Sequence, residues 1–208
     1  MSESSEITES GLTPGAWFHI VGRTIGAIVC TGFGAYSMYW WTVAAIPHRR
    51  TGWFIAIAGV SAILLVWSIT ELSALFHMPR SVVDTRRRRR YRIGFGIIVV
   101  TEVAAIILGG PILAHLHRED LYPQWVDLVV GIHFLPLGKL FQLPLYYAAG
   151  LVISLFALGS LLFPPGDLRP AVNAAGTGLT LWITAVIILI KNLAELPGKT
   201  AHSATATQ

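Results

Sequence analysis

The chain has 208 residues, of which 54% are apolar and only 12% are charged, against roughly 25% charged residues in an average soluble domain. This composition, with a mean hydropathy of +0.63, excludes an ordinary soluble domain and indicates an integral membrane protein. The net charge of +4 comes mostly from one arginine run, and a single cysteine excludes an intrachain disulfide or a cysteine-based zinc site.

Six apolar segments are each long enough to cross a bilayer as a helix, which takes about 20 residues. Their continuous apolar character, without alternation, indicates helices and not a β-barrel. The predicted fold is therefore all-α, a single six-helix domain over residues 17–196 between flexible polar ends at 1–16 and 197–208. The predicted spans in chain order are 22–46, 53–76, 93–114, 122–141, 145–163 and 172–193.

The distribution of lysine and arginine predicts the orientation. Eleven of these residues lie on the side of the two termini and four on the other side. Because cytoplasmic loops carry the excess of positive charge, both termini are predicted in the cytoplasm, with the chain in a bacterial inner membrane. The eleven are Arg23, Arg80, Arg86, Arg87, Arg88, Arg89, Arg90, Arg92, Lys139, Lys191 and Lys199; the four are Arg49, Arg50, Arg118 and Arg169.

The arginine run Arg86, Arg87, Arg88, Arg89, Arg90 is predicted in the loop between the second and third spans. Its simpler interpretation is topological, because positive loops are retained in the cytoplasm. A second interpretation is binding of anionic lipid head groups, worth about 1 kcal/mol per arginine at a membrane surface. Nucleic acid is not expected as a partner, because no aromatic residues are interleaved with the arginines.

The third and fourth spans carry one ionisable residue each at matching depth. Glu102 lies nine residues into the third span and His133 eleven residues into the fourth. At 1.5 Å per residue, both lie about 13 Å above the cytoplasmic end, and helices joined by a short loop pack together. We therefore expect a Glu102–His133 contact. Such a pair serves either as a proton relay or ligand site, or as a satisfied structural pair.

Three further predictions concern polar residues and a proline in the spans. Asp127, near the outer end of the fourth span, is a further candidate for a ligand or proton site. Glu71 and Lys139 lie at similar depth and are predicted to form a structural ion pair. Pro136 is predicted to break the fourth helix, as in the discontinuous helices of transporters. At 100° per residue Asp127, His133 and Lys139 point about 120° apart, so they cannot all face one cavity.

The segment Gly131-Ile132-His133-Phe134-Leu135-Pro136-Leu137 resembles a motif in a family of small, uncharacterised bacterial multi-pass membrane proteins. The resemblance covers the fourth and fifth spans. It implies no activity, but it directs attention to His133 and Pro136.

Two functions of different classes remain open. One is a proton-linked transporter or channel for a small solute or ion, using Glu102 and His133. The other is a non-enzymatic assembly subunit that docks another membrane protein or a second copy through the arginine run and the small residues of the first helix, which are Gly22, Gly26, Gly32 and Gly34. The sequence has no nucleophile set, metal-ligand set or cofactor motif at a recognisable spacing. An enzyme is therefore not favoured, and neither a cofactor nor a bound metal is expected.

Overall fold

A computed structural model describes residues 14–45, 50–77 and 85–195 of the chain. Over these ranges the regular secondary structure is entirely helical, as the sequence predicts. Short 3₁₀ turns at Glu119–Leu121 and Ser160–Leu162 precede the fourth helix and follow the fifth. The six α-helices are α1 (Pro14–Ala45), α2 (Arg50–His77), α3 (Thr85–His115), α4 (Tyr122–Phe141), α5 (Pro144–Gly159) and α6 (Leu168–Glu195).

Four segments are long and apolar enough to cross a membrane: Thr51–Phe76, Arg92–His115, Pro144–Leu162 and Leu168–Ala194. They lie in α2, α3, α5 and α6. Within the described residues, α1 and α4 do not belong to this set, and in α4 the polar residues Asp127, His133 and Lys139 lower the hydropathy. The four apolar helices fit a membrane protein.

The predicted polar ends fall almost wholly outside the described residues. Only residues 14–16 of the predicted N-terminal segment are described, and they form the beginning of α1.

The arginine run occupies the first two turns of α3, whereas the sequence interpretation had it in a loop. The correction has a simple physical reason. Arginine is a strong helix former, and no glycine or proline lies between Thr85 and Gly94 to end the helix. The positive charge therefore belongs to the N-terminal extension of a helix whose apolar part begins at Arg92.

Helix α6 lies at the centre of the bundle and packs against α1, α5, α4 and α2. Its buried side chains Leu181, Ala185, Ile188 and Leu189 are at most 1% exposed and form part of the apolar core. Two helices lie at the edges: α2 packs mainly against α1, and α3 packs mainly against α4. The two successive helices α2 and α3 are thus on different parts of the bundle.

Small residues allow the close approaches within this bundle. A Cβ on Gly22 would meet the Phe141 ring, and one on Gly34 would meet Trp182 of α6. Gly26 faces Tyr146, and only Gly32 of this group has open space around it. Three of the four glycines that suggested docking of a partner on α1 are therefore used for packing inside the chain.

Candidate functional site

The structure brings Glu102 and His133 together. Glu102 Oε2 of α3 lies 3.2 Å from His133 Nδ1 of α4, and the two side chains are only 15% and 11% exposed. The distance is that of an ion pair, but the angle is not that of a hydrogen bond, so Nδ1 has no hydrogen-bond partner among the described residues. The imidazole also approaches the backbone of Ile98, one turn before Glu102. We call Glu102 and His133 the α3–α4 pair.

A second polar contact holds α3 against α4. The Trp125 indole Nε1 donates to the Ala105 carbonyl oxygen at 3.0 Å. Gly109, one turn further along α3, leaves the space that this indole occupies, since a Cβ there would overlap the ring. Most other side chains of α3 are apolar and exposed, so these two contacts and the notch at Gly109 are among the few specific contacts that join α3 to α4, together with the Phe95–Phe141 ring contact.

Asp127 of α4 faces a different helix. The Thr177 hydroxyl of α6 donates to Asp127 Oδ2 at 2.9 Å, and the Asn173 side chain, one turn earlier on α6, is also hydrogen-bonded to this carboxylate. Asn173 and Thr177 are each only 1% exposed. We call Asp127, Asn173 and Thr177 the α4–α6 cluster.

Glu71 forms a third buried polar contact, and its partner is not the predicted one. The Asn192 amide Nδ2 donates to Glu71 Oε2 at 3.2 Å and to Thr24 Oγ1 at 3.0 Å, joining α2, α6 and α1. Glu71 is 6% exposed and Asn192 is fully buried. We call Glu71, Asn192 and Thr24 the α2–α6 cluster.

The predicted Glu71–Lys139 ion pair is absent from the described residues, and Lys139 is exposed. The reason is the arrangement of the helices. Equal depth does not bring two side chains together unless their helices are neighbours, and α2 packs against α1 and α6, whereas α4 packs mainly against α5 and α3.

Pro136 does not break α4, which is a continuous helix from Tyr122 to Phe141. The proline is exposed on the helix surface, and α4 remains packed along α5 on both sides of it. Neighbouring helices commonly allow such a proline within an apolar helix. Because the helical register is kept, Asp127 points to α6, His133 to α3 and Lys139 to the surface, as 100° per residue requires.

The buried face of α6 is polar at several positions, and sequence reasoning missed them. The signal was present in the sequence, because these residues recur at intervals of four, four, seven and eight in a mostly apolar helix. The face extends over about 35 Å of helix, since α6 rises 1.5 Å per residue. Each of its polar members is at most 7% exposed: Arg169, Asn173, Thr177, Thr184 and Asn192.

No group of three or more His, Cys, Asp or Glu side chains among the described residues could hold a metal ion. The fold and these contacts therefore define an all-helical protein of membrane type in which three acidic residues, one buried and two partly buried, each meet a polar partner on a neighbouring helix. Comparisons with family models, with curated proteins and with solved structures give no match for this chain.

Proposed function

We propose that the chain is a proton-linked transporter or channel for a small solute or ion, in which the α3–α4 pair binds and releases the proton. The observation that carries the proposal is the 3.2 Å approach of His133 Nδ1 on α4 to Glu102 Oε2, which lies within the apolar segment Arg92–His115 of α3. Carboxylate and imidazole groups inside a membrane are costly to bury, and they commonly mark proton pathways. The pair can hold one proton in either of two places, which is the elementary property of a relay.

The proposal includes a membrane arrangement. All six α-helices cross a bacterial inner membrane, with both termini and the arginine run of α3 on the cytoplasmic side. The excess of lysine and arginine on that side supports this orientation. Anionic lipid head groups are the proposed neighbours of Arg86 to Arg90, and no nucleic acid takes part.

A second candidate function is that of an assembly subunit that docks another membrane protein. The observation that favours it is the exposed apolar face of α3, which packs mainly against α4 and presents Val100, Val103 and Ile107 to the surroundings. Lipid covers such a face equally well. Because Gly22, Gly26 and Gly34 are used inside the chain, we rank this function below transport.

The test is a proton-flux assay in liposomes that contain the purified full chain and the pH dye pyranine. A potassium gradient with valinomycin sets the voltage, and the outer solution contains a defined mixture of alkali salts, amino acids and simple sugars. We expect faster pH change than in protein-free liposomes, and loss of that excess in both Glu102→Gln and His133→Gln. Glu119→Gln, which changes an exposed carboxylate on the 3₁₀ turn before α4, is the control and should retain it.

Two results would overturn the proposal. One is a rate equal to that of protein-free liposomes. The other is unchanged flux in both pair variants, which would show that the α3–α4 pair only holds the two helices together.

A further inference from the structure

Gln124 is the most unusual polar residue of the bundle outside the α3–α4 pair. It lies on α4 and is only 4% exposed, yet neither its amide nitrogen nor its amide oxygen has a hydrogen-bond partner among the described residues. Leaving a buried amide without partners is costly, because its donor and acceptor lose their hydrogen bonds to water and gain none in the protein. An unpaired buried amide of this kind needs an explanation.

The register of α4 and α6 places Gln124 beside the α4–α6 cluster. Asp120, just before α4, accepts from Arg169 Nη1 at 3.1 Å, and Asp127 accepts from Thr177 at 2.9 Å. In each contact the two partners are separated by nearly the same number of residues. A step forward along α4 is therefore matched by a step forward along α6, so these two helices run in the same direction. Gln124 lies between Asp120 and Asp127, just as Asn173 lies between Arg169 and Thr177, so these two amides are at the same level.

The oxygen atoms at this level lack donors. Asn173 is 1% exposed, and its Oδ1 has no hydrogen-bond partner in the described part of the chain. Gln124 Oε1 likewise has no hydrogen-bond partner among the described residues. Gln124 lies one turn before Asp127 on the same face of α4. Together with the Asp127 carboxylate and the Thr177 hydroxyl, the two amides make four oxygen-bearing groups, and the two amide oxygens among them are unpaired.

The charge at this level is negative and unbalanced. Asp127 forms no ion pair with any lysine, arginine or histidine that the structure describes. The nearest buried cation along α6 is Arg169, which donates to Asp120 and to the Phe163 carbonyl oxygen and is thereby satisfied. At the adjoining end of α4 the Glu119 carboxylate is exposed, whereas Asp120 is already paired with Arg118 and Arg169.

We infer that Gln124, Asp127, Asn173 and Thr177 form a binding site for an alkali-metal cation. Hard cations take oxygen ligands from carboxylates, amides and hydroxyls, and this level offers all three kinds. A single carboxylate balances one positive charge, so a monovalent ion leaves the buried site neutral, whereas a divalent ion would leave a net charge in an apolar bundle. The inference goes beyond the proposed function, because the site is distinct from the α3–α4 pair and does not require transport.

The test is the thermal unfolding of the purified full chain in detergent, in sodium, potassium or choline chloride at equal concentration. We expect the melting temperature to rise saturably with sodium or potassium but not with choline, because a ligand that binds only the folded state stabilises it. Asp127→Asn should abolish this response and Gln124→Leu should weaken it. Glu119→Gln keeps the oxygen ligands and should respond as the unmodified chain does.

Gln124→Leu keeps the test decisive if Asp127→Asn fails to fold. It replaces an unpaired buried amide by an apolar side chain of similar size, so in choline chloride, where no cation is bound, the change should be neutral or stabilising. Binding of radioactive sodium, with potassium as competitor, gives a second readout on the same samples. Equal melting temperatures in the three salts, or equal responses in Gln124→Leu and the unmodified chain, would overturn the inference.

Discussion

The Asn192 amide of α6 donates to the Glu71 carboxylate of α2 at a distance of 3.2 Å, in a place where Asn192 is fully buried and Glu71 only 6% exposed. The same amide donates to Thr24 of α1. One side chain of the central helix thus links both α1 and α2 to α6 by hydrogen bonds.

We expect Asn192→Leu to destabilise the bundle more than most substitutions of similar size. The change removes a donor from a buried carboxyl group, at a cost of about 1–3 kcal/mol and more if the group stays ionised. Thermal unfolding in detergent measures the effect. Lys191→Leu alters the exposed neighbouring residue and is the control.

A second variant separates lost hydrogen bonding from lost packing. Combining Asn192→Leu with Glu71→Met removes both polar partners and should recover much of the stability, since replacing both members of a buried polar pair by apolar groups is often neutral. Thr24 keeps its bond to the Ile20 carbonyl oxygen in all of these variants. A double variant as unstable as Asn192→Leu would show that the amide is needed for packing and not for Glu71.

The closest approach of α4 and α5 gives a prediction about small residues. A Cβ added at Gly150 would lie 2.5 Å from the Gly131 carbonyl oxygen and 2.9 Å from the Phe134 Cβ, so the helices would have to separate. We expect Gly150→Ala to lower stability by about 1–3 kcal/mol, as overpacking does. The measurement is the melting temperature of the purified chain.

Gly159 of the same helix is a matched control, because a Cβ there meets nothing within 4 Å. Gly159→Ala should leave the melting temperature unchanged or raise it, since alanine is the better helix former by about 0.5–1 kcal/mol. Equal effects of the two substitutions would contradict the packing explanation.

The proposed orientation is tested by labelling of single cysteines in intact bacterial cells. Cys30 is buried and is the single cysteine of the chain, so the Cys30→Ala variant has no native thiol that the reagent could label. A membrane-impermeant maleimide should label Arg118→Cys, whose native side chain is 55% exposed, and should leave Arg88→Cys unlabelled until the cells are opened. Labelling with the opposite pattern would reverse the orientation.

The role of the arginine run has its own prediction. Changing Arg86 to Arg90 together to glutamine should disturb orientation or expression more than proton flux per folded molecule, because the charges act during insertion. The labelling assay and the liposome assay measure the two quantities separately. A fully oriented variant with lost flux would assign the arginines to the activity itself.

Much of the helical layout follows from the sequence. The fourth predicted segment, 122–141, coincides with α4, and three others lie inside α2, α3 and α6. The first segment ends one residue past α1, and the fifth runs past α5 through the following 3₁₀ turn to one residue beyond it. Apolar length and polar breaks determine these bounds locally, so no knowledge of packing is needed. Glu102 and His133 could be paired by depth alone because α3 and α4 are joined by a short loop and are neighbours.

The other polar contacts depend on which helices are neighbours, and hydropathy does not contain that information. Thr177 is 50 residues from Asp127 and Asn192 is 121 from Glu71 along the chain, so only the packing of α6 brings them together. Depth alone predicted an ion pair between Glu71 and Lys139. This prediction was wrong because α2 and α4 lie on different parts of the bundle. The polar positions of α6 were visible as a pattern, but their partners were not.

The α3–α4 pair gives the last prediction. Glu102→Gln and His133→Gln should each lower the melting temperature in detergent, because each leaves the other group without its partner. The losses should fall below the about 3–5 kcal/mol found when a fully buried ion pair loses one member, since these side chains keep 15% and 11% exposure. The double variant should be less destabilised than the sum of the single variants, because the coupling is lost with the first substitution.

Thr101→Val provides the control for this cycle, since it changes an exposed polar residue next to Glu102 without touching the pair. Combined with His133→Gln, it should give additive effects. Strict additivity of Glu102→Gln and His133→Gln would show that the 3.2 Å approach carries no interaction energy. If the pair is coupled in stability while both single variants retain full proton flux, Glu102 and His133 hold α3 against α4 and the proton site must be sought at another carboxylate.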